Sequence, residues 1–222
     1  RDDVESRGLG DVYKRQDKRK VTASTYEILV DGAKAESCIV TTPYENLHIL
    51  PSSLDLAAAE LEISDKKGRE SILKNALLPI KQYYDYIIID CPPSLGLITT
   101  NALTASDTFL VPIQCEYYAL EGLTQLMSTV RRIKRQYNNT IDIEGVLLTM
   151  YDGRLNLTQQ VVEEVKKFFP RKVFKTVIPR GVRLSEAPSF GMPVIYYDKN
   201  CKGSITYTEL AKEIIAKERS YE

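Results

Sequence analysis

The sequence has almost no histidine. His48 stands alone among 222 residues, which excludes a His-rich metal site. The cysteines Cys38, Cys91, Cys115 and Cys201 are widely spaced and form no C-x-x-C pair. That pattern reads as reduced intracellular thiols, not as a disulfide frame. No apolar run approaches the ~20 residues of a membrane span, and no apolar core of a secretory signal is visible. Lysines plus arginines equal aspartates plus glutamates, so the net charge is zero. A globally basic nucleic-acid binder is therefore not indicated, although a local basic patch is compatible with the balance. The expectation is a soluble cytoplasmic protein, long enough for one large α/β domain with a real core.

The first sixteen residues, "RDDVESRGLGDVYKRQ", are charged, aperiodic and carry two glycines. They read either as a disordered leader or as non-native sequence, because "GLGDVYKRQ" resembles a translated adapter scar. The chain also lacks an initiating Met. Native sequence is expected to start near Asp17, giving a domain over 17–222.

From Lys20 onward short apolar runs alternate with helical spacing. "NLHIL" (46–50), "YIIID" (86–90), "TFLVPIQ" (108–114), "GVLLTM" (145–150) and "KVFKTVI" (172–178) read as strands. Helices are expected over Leu54–Ile63, over 70–84 with a break at Pro79, and over a short stretch from Leu97. A longer one places Leu120, Leu123, Met127, Val130, Ile133 and Tyr137 on one face; two more cover 158–169 and Glu209–Glu218. Near-continuous apolar strands separated by helices point to a mostly parallel sheet covered on both faces. Such sheets bind ligands at the carboxyl ends of their strands.

On that frame, Ile87–Ile89 form the buried part of a central strand and Asp90 marks its exit. A carboxylate there is placed to hold Mg²⁺, directly or through water, beside phosphates. The alternative is a solvent-exposed aspartate that merely ends a strand. Pro92 and Pro93 stiffen the exit into a loop.

The longer run "YDYIIIDCPPSLGLITTNALTASD", with "VPIQCEYYALEGL", "EGVLLTMYDGRLNL" and "KTVIPRGVRLSEAPSFGMPV", closely resembles the ParA/Soj-type partition ATPases. The resemblance spans about Val21 to Lys217 and implies a P-loop NTPase-like fold with deviant Walker motifs. It implies that ATP sandwiches two subunits, that the dimer binds double-stranded DNA without sequence specificity, and that a ParB-like partner stimulates hydrolysis. A cytoplasmic, nucleoid-associated location follows. On this resemblance Asp90 matches the Walker B aspartate, and Pro92 and Pro93 match switch II. Thr149, Met150, Pro179 and Arg180 match the surroundings of the adenine, and Glu116 lies near nucleotide and dimer interface.

One departure is serious. The family needs G-x-x-x-x-G-K-[ST] or K-G-G-x-G-K-[ST] to cradle phosphates and Mg²⁺. No Gly in this chain directly precedes Lys, and Lys67-Gly68 and Lys202-Gly203 lack the rest of the motif. Two explanations compete, a gene fragment that has lost its upstream end and a natural pseudo-ATPase. The odd leader and the missing Met favour the first. Either way the chain is expected to be inactive, and "YIIID" is expected to lack a neighbouring strand, an aggregation hazard.

Between Arg154 and Arg183 lie Lys166, Lys167, Arg171, Lys172, Lys175 and Arg180, opposed only by Glu163 and Glu164. Phosphate contacts of this kind give sequence-independent affinity. Arg154 and Arg183 are expected in loops after apolar strands, at positions the family uses for DNA. Lys166 and Lys167 fit DNA contact or a solvated helix face, and Arg131, Arg132, Lys134 and Arg135 fit an exposed flank. A MinD-like membrane-cycling ATPase would end in a basic amphipathic helix; "AKEIIAKERSYE" is mixed in charge and poor in apolar bulk. An iron–sulfur relative would need paired cysteines, for which Cys91 and Cys115 are the only candidates, and Cys91 is expected to pack as a small buried residue. Tyr117, Tyr118, Tyr196 and Tyr197 are accounted for by core and interface packing.

Overall fold

The computed structural model describes residues 23–115 and 121–218, the side chain of Glu121 apart. The leader of 1–16, Glu116, Tyr117, Tyr118 and Leu120 lie outside them. The chain divides into two compact units, the first holding residues up to Asp107 plus Thr129–Ile141, the second Thr108–Ser128 plus Asp142 onward.

The second unit is built on a parallel sheet. Its strands β3 (Thr108–Gln114), β4 (Asp142–Tyr151) and β5 (Val173–Pro179) lie in that order, preceded in the chain by the two short strands of the first unit, β1 (Val40–Thr41) and β2 (His48–Ile49). Side chains of a strand alternate between faces. Val146 and Leu148 accordingly join Val111, Ile113, Val161 and Val165 in one apolar cluster. Leu147 points the other way, to Phe174, Ile178 and Leu210. Both faces are thus covered by helices, as the continuous apolar runs require. Gly145 is fixed by this packing, because a Cβ there would lie 2.5 Å from the Phe174 ring.

The C-terminal helix, Lys202–Glu218, also finishes the edge of β5. Its Glu213 carboxylate accepts the Lys175 and Thr176 amides at 2.8 and 2.9 Å. Burial alone would raise the Glu213 carboxyl, but these two amides and the Thr176 hydroxyl outweigh it and hold the group below its ordinary value. An edge strand with its amides taken is closed to further pairing. The helix begins at Lys202, nearly two turns before the expected Glu209.

The first unit is mainly helical. Ile28, Leu29, Ile63, Leu73, Leu77 and Ile80 form its core. The helix Ile72–Leu77 stops just before Pro79 as expected. Asn101, within the helix Leu97–Ala105, is fully buried. Its Oδ1 accepts the Leu73 amide at 3.1 Å, and its Nδ2 donates to the Arg69 carbonyl at 2.7 Å and the Leu97 carbonyl at 3.1 Å. At the other end of that helix the Asn138 amide donates to the Leu103, Thr104 and Ser106 carbonyls. These are the carbonyls a helix C-terminus leaves without partners.

One expectation fails here. Residues 86–90 are not a buried strand. They have no regular structure and belong to neither sheet. Ile88 is 90% exposed and Ile87 39%. The cause is the absence of a ladder partner among the described residues, since an apolar strand is buried only when neighbours flank it. Ile89 rests against the first unit's core, and Tyr84 is tied to His48 Nδ1 at 3.0 Å. Cys91 is likewise exposed, not packed, because it follows this uncovered segment.

Two outcomes follow from these placements. Asn101→Ala leaves buried backbone groups of Arg69 and Leu73 unpaired, and urea unfolding is expected to show a loss of about 2–4 kcal/mol. Ile88→Lys touches nothing buried; it should change stability by less than about 0.5 kcal/mol while reducing concentration-dependent association in light scattering.

Candidate functional site at the carboxyl edge of the sheet

Parallel pairing sets β4 and β5 side by side and brings their carboxyl ends to one edge, with Tyr151 opposite Pro179. Beyond that pair the Arg180 amide donates to the Tyr151 carbonyl at 3.3 Å. Three steps along β4, from Leu148 to Tyr151, match two along β5, from Val177 to Pro179. One extra residue therefore sits in β4, which is a bulge. Met150 absorbs it with φ 52°, a left-handed conformation uncommon for a residue with a Cβ. Thr149, Met150, Pro179 and Arg180 are thus gathered at one place. Thr149 is tied into the ladder, its carbonyl accepting the Cys115 amide at 3.1 Å; Pro179 is buried, and Met150 and Arg180 are exposed.

Of the basic residues, Arg154 and Arg183 lie just beyond this edge, whereas Lys166, Lys167 and Lys172 lie toward the amino ends of the strands. Arg154 lies in the turn between β4 and the helix Asn156–Phe168. Its guanidinium grips Asp152 with two bonds, Nε to Oδ1 at 2.8 Å and Nη2 to Oδ2 at 2.6 Å. These bonds hold the Asp152 carboxyl well down, at about 2. Arg183 is not in a loop as expected but in a short helix, Val182–Glu186, because Gly181 ends the extended backbone and the chain turns helical at once. Arg183 meets Glu186 at 2.9 Å and Asp198 at 3.6 Å. Lys166 and Lys167 lie exposed in the last turn of Asn156–Phe168, with Lys167 paired to Glu164 at 2.6 Å. Lys172 pairs with Asp142. The basic tract is therefore more nearly neutralised than its own composition suggests. Arg131, Arg132, Lys134 and Arg135 form an exposed flank of the helix Glu121–Gln136.

In the first unit Asp90, Pro92 and Pro93 are all exposed on the irregular segment. Loss of water around the Cys91 sulfur, and then the Asp90 charge, push that thiol up to about 11 even though the residue as a whole is exposed. The Glu60 carboxylate accepts the Ile98 amide at 3.0 Å at the start of Leu97–Ala105, and it lies close over Gly96, so a Cβ there would have to displace it.

A sequence profile described as an AAA domain matches residues 8–143. The sporulation initiation inhibitor protein Soj of Bacillus subtilis is 57% identical over 200 residues, 90% of this chain and 79% of that protein. The chain belongs to the ParA/Soj family. The chromosome-partitioning ATPase Soj of Treponema pallidum is 47% identical over 195 residues, 88% of this chain and 77% of that protein. Among solved structures, cobyrinic acid a,c-diamide synthase of Mycobacterium smegmatis, with bound ATP analogue and magnesium, superposes with a TM-score of 0.78 at 29% identity, covering 96% of this chain and 88% of that one. The fold is the P-loop NTPase-like α/β architecture of ParA and MinD proteins.

Set against that family, the residues present do not fit a magnesium–nucleotide cradle. No Gly-Lys pair exists to supply amides and an ammonium to phosphates. Asp90 stands in solvent, and among the described residues no three acidic, His or Cys side chains converge as a metal site. Nor, among the described residues, is any helix long and apolar enough to cross a membrane.

The Asp152 carboxyl should titrate at about 2 by NMR. Arg154→Ala should return it toward the ordinary carboxylate value of about 3.9. Because the folded value is the lower one, the pair's contribution to stability is present above the unfolded value and is lost as pH falls through the folded one. The stability difference between the unaltered chain and Asp152→Asn should therefore shrink as pH is lowered toward 2.

Proposed function

We propose that this chain is the DNA-engaging body of a ParA/Soj-type partition ATPase. In the complete cycle an ATP-held homodimer binds double-stranded DNA without sequence preference, and a ParB-like partner triggers hydrolysis and release, so that chromosomes or plasmids are partitioned. Asp90 is assigned to Mg²⁺ and Pro92 and Pro93 to γ-phosphate sensing. Thr149, Met150, Pro179 and Arg180 are assigned to the adenine side, and Glu116 to the nucleotide and dimer boundary. Arg154 and Arg183 carry the DNA contact, with Lys166 and Lys167 as auxiliary charges.

The observation that supports this reading best is the β4–β5 pairing. It sets the turn holding Arg154 and the helix holding Arg183 beyond the same ends of neighbouring parallel strands. Two guanidinium groups on adjacent connections suit a phosphate backbone, which needs positive charge but no base-edge reading. With residues 86–90 exposed and no Gly-Lys loop, the chain itself is assigned no nucleotide turnover.

Arg154→Glu or Arg183→Glu should weaken binding to random duplex DNA in fluorescence anisotropy. The slope of log affinity against log salt should fall by about 0.9 for each phosphate no longer neutralised. Unchanged affinity across the salt series would remove the residue from the interface. The purified 222-residue chain should show no magnesium-dependent ATP turnover; measurable turnover would overturn the assignment of inactivity.

A further inference from the structure

Arg183 is held by two carboxylates from separate parts of the second unit. Its Nη1 donates to Glu186 Oε2 at 2.9 Å, one turn along the same short helix. Its Nε faces Asp198 Oδ2 at 3.6 Å, and its guanidinium carbon stands 5.9 Å from the centre of the Tyr197 ring. Neither acid is a loose surface partner. Glu186 Oε2 also receives the Tyr197 hydroxyl at 3.2 Å. Asp198 Oδ1 accepts the Asn200 and Cys201 amides, both at 3.1 Å, in the turn that leads into Lys202–Glu218. Tyr197 in turn stacks on Phe190 with ring centres 5.0 Å apart.

The charge balance here differs from that at Arg154. Arg154 faces the single carboxylate of Asp152, which makes a neutral pair. Arg183 has two carboxylates on one guanidinium, so the cluster as folded is net negative. A phosphate approaching Arg183 meets one attraction and two repulsions at short range. Yet the side chain is half exposed, and exposed pairs of this kind are weak enough to exchange.

We propose that Glu186 and Asp198 act as an acid clamp that competes with DNA phosphate for Arg183, so that they, and not the arginine alone, set how tightly the protein grips DNA. This rests on the reading that Arg183 contacts DNA. The clamp lowers affinity, and any event that draws one acid away raises it. Tyr197 and the turn at Asn200 and Cys201 serve as its supports, keeping the two carboxylates aimed at Arg183 when DNA is absent.

The test uses two isosteric neutralisations in the 222-residue chain, assayed at low salt and without nucleotide, where the phosphate contacts of the single chain are read directly. Asp198→Asn keeps an oxygen for the Asn200 and Cys201 amides, and Glu186→Gln keeps an oxygen for the Tyr197 hydroxyl, so both should melt like the unaltered protein. Each is expected to bind a short random-sequence duplex about two- to fivefold tighter at low salt. The salt slope should steepen by up to about 0.9 as Arg183 comes to neutralise a full phosphate. In an Arg183→Ala background the tightening should vanish. Unchanged or weaker binding in both single variants would overturn the clamp. So would an equal tightening without Arg183, which would reduce the effect to a change in net charge. The underlying reading fails separately if Arg183→Ala alone binds as tightly as the unaltered chain, or if none of these forms binds DNA.

Discussion

The parallel ladder between β4 and β5 positions everything else in the second unit. Its register puts Tyr151 opposite Pro179 and, through the bulge at Met150, turns both chains out of the sheet at one level. Because the strands are parallel, both connections leave from the same edge. The ladder itself depends on cover. Helices close one face over Val146 and Leu148, the C-terminal helix closes the other over Leu147 and Phe174, and Glu213 takes the free amides of the outer strand. Remove the cover and β5 becomes an unpaired edge.

The 86–90 segment shows what happens where such a ladder is missing. Its composition is as apolar as that of β4. Nevertheless Ile88 faces solvent, because hydrophobicity drives burial only when the backbone polar groups also find partners. The segment keeps a foothold through Ile89 and the neighbouring Tyr84. Asp90 follows it into solvent. The same cause therefore accounts for an exposed apolar run, an exposed Cys91 and a candidate Walker B carboxylate without a pocket around it.

Electrostatics in the second unit follow a similar logic of partners. Arg154, Lys167, Lys172 and Arg183 each have an acid within ion-pair distance. On the proposed reading of a DNA contact, these pairs keep the cations answered between encounters. Bare cations would hold DNA through any change of state, whereas paired ones hold it only when phosphate outcompetes the resident carboxylate.

Much of this was legible in the sequence, and what was not has a definable cause. "TFLVPIQ" is a strand over the very residues read from it, and Pro79 ends its helix, because continuous apolar runs and a missing amide are local properties. The family was legible too, since long runs of matching residues carry it. Asp152 beside Arg154 and Glu186 three residues after Arg183 could have been anticipated from helical and turn spacing. Asp198 could not, because only the return of the chain after Phe190 brings it to Arg183. The burial of "YIIID" was misjudged for the same reason in reverse: its apolar character belongs to the sequence, but burial needs a neighbouring strand. The sequence by itself determined most of the strands and helices and the family they serve, because those depend on residue order. Tertiary structure alone decided which charges are answered and which apolar surface stays in water, because both depend on which distant segment arrives alongside.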